Sequence, residues 1–358
     1  MISALLLVLA TVVFADGEWT VHNFNRSLVH PLKDAKDNFV YVTFSLNDHE
    51  AIKLNFQDER KSCVVPHELP YNTRSKHKVA ALGNGKVIVT MMNNQMNRAR
   101  ISDAITKFDW KLSIIDPNNC SYQHKIIGHV KTSFDNILPY VDTFDLYAKS
   151  NQISKVLRFK DNGELEGFSA IVPDKKGLGI KVAKEYDPSQ GYYYVVPNRK
   201  KSQSIIKKLN SHFQVTKTYV VERDRLSQDP QSYSMNYGRI TFCYFTGNRM
   251  NLECAVINGE LDRELLKIRL IYEHALSGTT VVNFRHGFAV VHYQRHKNQM
   301  STVYARRVSE AGEIGSVVKI GEVTDAIHYV YSFVMNDGKL CVVVTFGDAV
   351  LTKYIDLD

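Results

Sequence analysis

In "HGFAVVHY", His286 to Tyr293, a glycine opens a run that is almost wholly apolar. The same arrangement returns along the chain. Gly85 opens "GKVIVTMM", Gly191 "GYYYVVP", Gly238 "GRITFCYF" and Gly338 "GKLCVVVTF". Successive intervals from Gly85 to Gly338 are 106, 47, 49 and 51 residues. The first spans two steps, and its skipped station falls near Ile137, ahead of "PYVDTFDLYA". One step before Gly85 stand Asp37 and Asn38, ahead of "FVYVTFSL", which makes seven stations.

A second series runs beside the first. "FKDNGELEGFSAI" (Phe159 to Ile171) aligns without a gap on "VSEAGEIGSVVKI" (Val308 to Ile320), and "VINGELDRELLKI" (Val256 to Ile268) fits nearly as well. Gly163, Gly259 and Gly312 mark its turns. Asn119 takes the same place, Asn210 or Ser211 marks another step, and the region around Arg60 is an earlier member. Runs of Val, Ile, Tyr and Phe favour strands. Short hairpin turns need a positive φ, which Gly and Asn supply. Two hairpins in about fifty residues make a four-stranded unit, the sequence pattern of a propeller blade. The expected fold is therefore all-β, a seven-bladed β-propeller; six blades or paired β-sandwiches are the alternatives. The last unit runs out of residues before its fourth strand. "GEWTVHNF" (Gly17 to Phe24) can supply it, closing the fold and leaving no open edge.

The unit "VYARRVSEAGEIG" with its neighbour "GFAVVHYQ" resembles blades of secreted repeat propellers in the β-propeller superfamily. Neither the Trp-Asp ending of WD40 repeats nor the double glycine of kelch repeats is present. The resemblance implies an architecture and no activity.

The chain begins MISALLLVLATVVFA. Leu5 to Phe14 is apolar but too short to span a bilayer as a helix. Val13 and Ala15 occupy the small-residue positions before a signal-peptidase cut, so residues 1–15 read as a signal peptide and 16–358 as a single β-propeller domain. A secreted, extracellular protein without membrane insertion is expected. Sequons at Asn25 and Asn119 agree with glycosylation. Five cysteines are too few for a disulfide scaffold, and their odd number leaves a thiol over. Cys243 and Cys254 flank "TGNRMN" at equal distances, opposite each other on two strands, which predicts a disulfide. The pairing of Cys63, Cys120 and Cys341 stays open.

Net charge is +8. In a propeller the loops joining second to third strands emerge on one face, and here most are basic. They carry Arg98 and Arg100 in the second unit, Lys149 in the third, and Arg199, Lys200 and Lys201 in the fourth. Arg249 follows in the fifth, and Arg295 and Lys297 in the sixth. The first (Asp48, Glu50) and last (Asp348) are acidic. Clustered Arg and Lys hold sulfate or carboxylate groups and steer acidic partners. This points to a non-enzymatic binding module for an acidic protein, polyanionic glycan or anionic ligand, as in a secreted effector, venom or salivary component. Nucleic acid is not expected as the partner of a secreted protein. His286, His292 and His296 do not converge by spacing on a zinc site, and no G-x-S-x-G or His-Glu-x-x-His element occurs. No metal or cofactor is expected. The competing reading is a hydrolase of lactonase or glycosidase type, with an active site built from several blades at the axial mouth.

Overall fold

A computed structural model describes residues 12–14, 19–24, 27–34, 36–45, 51–56, 62–66, 76–93, 108–130, 133–149, 154–171, 181–183, 192–198, 202–210, 214–223, 232–247, 249–296, 300–324, 326–346 and 349–356. Among these, every helix or strand element is a β-strand, and the strands form seven sheets. Each sheet contains four antiparallel strands in spatial sequence, the blade pattern of a seven-bladed β-propeller.

Two compact units are formed. The unit Asn23–Arg223 holds blades one to four. Blade one comprises Ser27–Lys33, Phe39–Ser45, Ala51–Phe56 and Cys63–Pro66, and blade two Lys76–Ala81, Val87–Asn93, Phe108–Asp116 and Ser121–Val130. Blade three comprises Ser133–Pro139, Thr143–Lys149, Ser154–Lys160 and Leu165–Ile171, and blade four Lys181–Ala183, Tyr192–Asn198, Gln203–Leu209 and Val215–Glu222. The other unit joins Asp224–Asp358 to the N-terminal segment through His22. Its blade five comprises Ser232–Asn236, Arg239–Thr246, Asn251–Asn258 and Glu264–Ile271, and blade six Gly278–Phe284, Gly287–Arg295, Ser301–Ser309 and Ile314–Val323. In blade seven, Ile327–Val334, Leu340–Phe346 and Ala349–Ile355 are completed by Thr20–Asn23, which pairs with Ala349–Ile355 as the closing strand. Val12–Phe14, inside the segment read as a signal peptide, lies parallel to the outer strand of blade six. Cleavage after Ala15 would leave Ile314–Val323 as that blade's outer edge.

The apolar runs are explained by burial on two sides. Successive strand residues point to opposite faces. In blade two, Val87, Val89 and Met91 pack with Val42, Phe44 and Leu54 of blade one. The intervening Ile88 packs instead with Phe144 and Leu146 of blade three. In blade six, Val290 joins the core with blade five, while Ala289 and Val291 join the core with blade seven. A second strand has no solvent face, so it lacks the polar alternation of a half-exposed strand.

The left-handed turn residues fall at Asp37 (φ 66°), Gly85 (90°), Gly238 (65°) and Gly338 (88°), at four of the expected stations. Ile137 is not a turn residue. It lies within the first strand of blade three opposite Leu146, and the turn follows it, closed by the Tyr140 N–H on the Thr143 carbonyl (2.9 Å). In the second series Gly163 and Gly312 have φ of 76° and 85°. Gly259 and Asn119 do not carry the positive φ; it falls at Leu261 (54°) and Cys120 (58°). The Asn258 side chain caps a longer turn by accepting from Asp262 N and Arg263 N, which moves the left-handed residue on. Asn119 Oδ1 likewise accepts from Ser121 N (2.8 Å) and leaves the strained position to Cys120. Gly191, Ser211 and Arg60 lie outside the described residues.

Candidate functional site

The strand order puts every basic loop named above between the second and third strands of its blade. Arg98, Arg100, Arg199, Lys200, Lys201 and Lys297 lie outside the described residues; Lys149 ends the second strand of blade three. Arg249 and Arg295 are described, and both are exposed. The segment joining blade five to blade six brings them together. The Arg249 carbonyl accepts from Leu276 N (3.1 Å), and the next residue, Ser277, accepts from Arg295 N through its Oγ (3.1 Å). The two arginines are thus anchored on consecutive residues at one end of neighbouring blades. Arg249 keeps its guanidinium over the Phe245 ring, 5.8 Å from the centroid. Glu273 and His274 on the same segment are also exposed.

Two acids buried inside the blades are matched by cations. Asp145 is wholly buried, and Arg158 grips it with two hydrogen bonds, Nε to Oδ1 (2.9 Å) and Nη2 to Oδ2 (3.0 Å). The Tyr140 hydroxyl donates to Oδ2 (2.7 Å). Glu253 is buried in blade five between its register partners Tyr244 and Arg269. Burial pushes its carboxyl up, but hydrogen bonds from Tyr244, Lys267 and Arg269 outweigh that and hold it below the usual range. In the unit of blades one to four, His30 Nε2 and His77 Nε2 lie 2.6 Å apart on adjacent first strands. Burial, then the His77 and Lys78 charges, lower His30 to about 4. In the other unit three first strands are linked by hydroxyls, Ser232 to Thr280 (3.4 Å) and Thr280 to Ser332 (3.2 Å).

The three histidines do not meet. His286 is in a turn, His292 is buried against Tyr272 and Tyr304, and His296 Nε2 lies 2.8 Å from Thr302 Oγ1. Among the described residues no three His, Cys, Asp or Glu side chains are grouped to hold a metal ion. The predicted disulfide is present: Cys243 and Cys254 are register partners with Cα atoms 4.1 Å apart. A second, Cys63–Cys120, ties the fourth strand of blade one to the outer turn of blade two (Cα–Cα 5.2 Å), and Cys341 is the buried odd thiol. Their separation of 57 residues, close to one repeat, was the available signal for this pair. Asn119 is exposed; Asn25 lies outside the described residues.

One feature that recurs at two junctions was not apparent from the sequence. Lys86 and Arg239 each follow a turn glycine, and each reaches the outer turn of the next blade, Lys86 to Asp161 (2.8 Å) and Arg239 to Glu310. The adjacent pairs "GK" and "GR" were legible, but their acidic partners lie over seventy residues away.

No family model and no curated protein matches the chain. Solved structures do. A chain in the crystal structure of the mitotic checkpoint complex is similar over 96% of this chain and 94% of its own, at 8% identity and a TM-score of 0.58. The Dos1 propeller is similar over 94% and 95%, at 9% identity and 0.57. The polysaccharide lyase Uly1 is similar over 99% and 94%, at 9% identity and 0.53. The chain is a β-propeller. At such identities the likeness is one of fold alone, and its neighbours span enzymes and non-enzymes.

Proposed function

We propose that this propeller is a secreted, non-enzymatic binding module whose basic rim meets an acidic protein or a polyanionic glycan. The observation that carries the reading is the pair Arg249 and Arg295, exposed and anchored on consecutive residues of one inter-blade segment. Neither has an ion-pair partner among the described residues. Two exposed guanidinium groups carried on anchored backbone at one end of adjacent blades suit sulfate or carboxylate groups spaced along a chain. The basic loop of Arg199, Lys200 and Lys201 belongs to the same class of connection in blade four and is a second basic element of the reading by sequence. The buried acids Asp145 and Glu253 are already held by cations and tyrosines, which favours partner binding by surface charge over acid–base chemistry at these positions.

Heparin chromatography tests this. Retention beyond physiological salt is expected, with a clear fall when Arg249→Glu and Arg295→Glu are combined and a further fall with Arg199→Glu, Lys200→Glu and Lys201→Glu. Elution of the unaltered protein at low salt, or retention indifferent to these changes, would sink the proposal. Two disulfides suit an oxidising compartment, and detection of a glycan on Asn119 by mass spectrometry of the secreted protein would agree.

A further inference from the structure

At the opposite end of the second strand of blade five from Arg249, a cleft of about 280 Å³ opens between blades five and six. Val256, Leu266 and Phe288 form apolar walls. Arg239, Thr241, Ser309 and Glu310 are its polar residues. The volume suits about nine or ten heavy atoms at roughly 30 Å³ each, the share of a water molecule in the liquid.

A local irregularity shapes the mouth. Ile257 pairs with Glu264 and Val256 with Leu266, so Leu265 is an extra residue in a β-bulge. Bulges re-aim side chains beside sites, and here both Leu265 and Leu266 line the cleft. Leu265 is 41% exposed. At the corresponding bulges of blades three and four the extra residues are Glu166 and Thr216. An apolar ligand in the cleft would cover this exposed leucine together with Leu266.

The polar wall holds one locked cation paired with one carboxylate. Arg239 is locked by Nη2, which donates to the carbonyls of Phe284 (2.7 Å) and Arg285 (3.1 Å). Its Nη1 meets Glu310, whose side chain is 56% exposed while that of Arg239 is 10% exposed. The guanidinium is the fixed partner and the carboxylate the movable one. Arg239 Nε and Thr241 Oγ1 are buried without a hydrogen-bond partner. The junction of blades two and three, which has the matching Lys86–Asp161 pair, is bridged differently. There Lys125 reaches across and donates from Nζ to the Gly163 carbonyl (2.5 Å), and Asn84 adds a hydrogen bond to Asp161 (2.8 Å). At the five–six junction the residue facing the outer-turn glycine, Gly312, is Leu266.

We propose that this cleft binds a small amphipathic carboxylate, with an apolar body of about seven carbons, and that Glu310 is an intramolecular competitor for its charged end. The ligand's carboxylate takes the place of Glu310 on the locked guanidinium, its chain covers Val256, Leu266 and Phe288, and Glu310 returns to water. The guanidinium stays paired throughout and the carboxylate released is the exposed one, so the exchange is favourable once the chain is buried.

Isothermal titration of the full chain with octanoate, which has ten heavy atoms, tests the site, with octan-1-ol and octylammonium as controls. One saturable site for octanoate is expected, with both controls much weaker. Glu310→Gln, at an exposed position, should tighten octanoate about twofold to fivefold by removing the competitor. The double variant Arg239→Gln with Glu310→Gln keeps the pair neutral and should bring octanoate down to the level of octanol. Thr241→Val, an isosteric change, should weaken octanoate severalfold with the fold intact by circular dichroism. Octanol binding as well as octanoate, no change on Glu310→Gln, or undiminished octanoate binding in the double variant would each overturn the proposal.

Discussion

His292 is wholly buried, with its ring 4.4 Å from that of Tyr272 and 5.4 Å from that of Tyr304. Burial, helped by the Arg306 charge, lowers its pKa to about 3. The folded protein therefore keeps it neutral where the unfolded chain, near 6.5, takes up a proton. Between these values the unfolded state binds more protons, so stability is full above about 6.5 and falls as pH drops toward 3. His30, lowered to about 4, acts in the same direction. By pH 4.5 the His292 contribution is on the order of 2–3 kcal/mol at about 1.4 kcal/mol per unit. Thermal melts from pH 7 to 4.5 should show a steep loss of stability that His292→Phe makes shallower; an unchanged slope would count against it. Asp145→Ala strands the Arg158 guanidinium and the Tyr140 hydroxyl, and about 3 kcal/mol should be lost in urea denaturation. The sequence placed His292 on a strand and set it apart from a metal site. Its burial depends on Tyr272, twenty residues earlier on the segment that joins blade five to blade six, which no local pattern reveals.

At the level of the element, the turns and clasps are open to test. Gly238 has a left-handed φ, but a Cβ there would meet nothing within 4 Å. Gly287 is different: a Cβ would come 2.1 Å from the Val308 carbonyl oxygen of the adjacent strand. Gly238→Ala should cost about 1–2 kcal/mol through φ alone, and Gly287→Ala distinctly more, read as the difference between their melting temperatures. The first glycine serves a turn and the second a close approach between backbones; both look alike in the repeat. The disulfides differ in a similar way. Cys63–Cys120 closes a separation of 57 residues and Cys243–Cys254 one of 11. Loop-closure entropy assigns them about 4 and about 3 kcal/mol, so the paired serine replacements of the first should lower the melting temperature more. The short bridge was readable from register within one hairpin. The longer one required knowing that the outer turn of one blade lies against the outer strand of its neighbour.

At the scale of the molecule, the closing strand Thr20–Asn23 covers the edge of Ala349–Ile355. Trp19, just before it, packs into the core of blades six and seven, against Gly321, where a Cβ would lie 2.1 Å from its indole nitrogen. Removing residues 16–24 exposes an unpaired strand edge, which templates association. Size-exclusion chromatography with light scattering should show dimers or larger species, whereas a monodisperse monomer with an unchanged melting temperature would contradict this role. The closure was legible because the last repeat lacks a strand and an orphan strand stands near the start.

What the sequence by itself determined is the repeat: seven units of about fifty residues with four strands each, left-handed turns at Asp37, Gly85, Gly238 and Gly338, apolar second strands, and the amino-terminal segment that completes the last blade. Those follow from local rules of strand period and turn conformation, which recur at a fixed spacing. Only the tertiary structure decided which blade faces meet, and hence the burial of His292, the Cys63–Cys120 bridge, the seating of Arg249 beside Arg295 and the cleft at Arg239. Each joins side chains from different strands or blades, and the free energy of such a contact depends on packing across a junction that no single stretch of chain encodes.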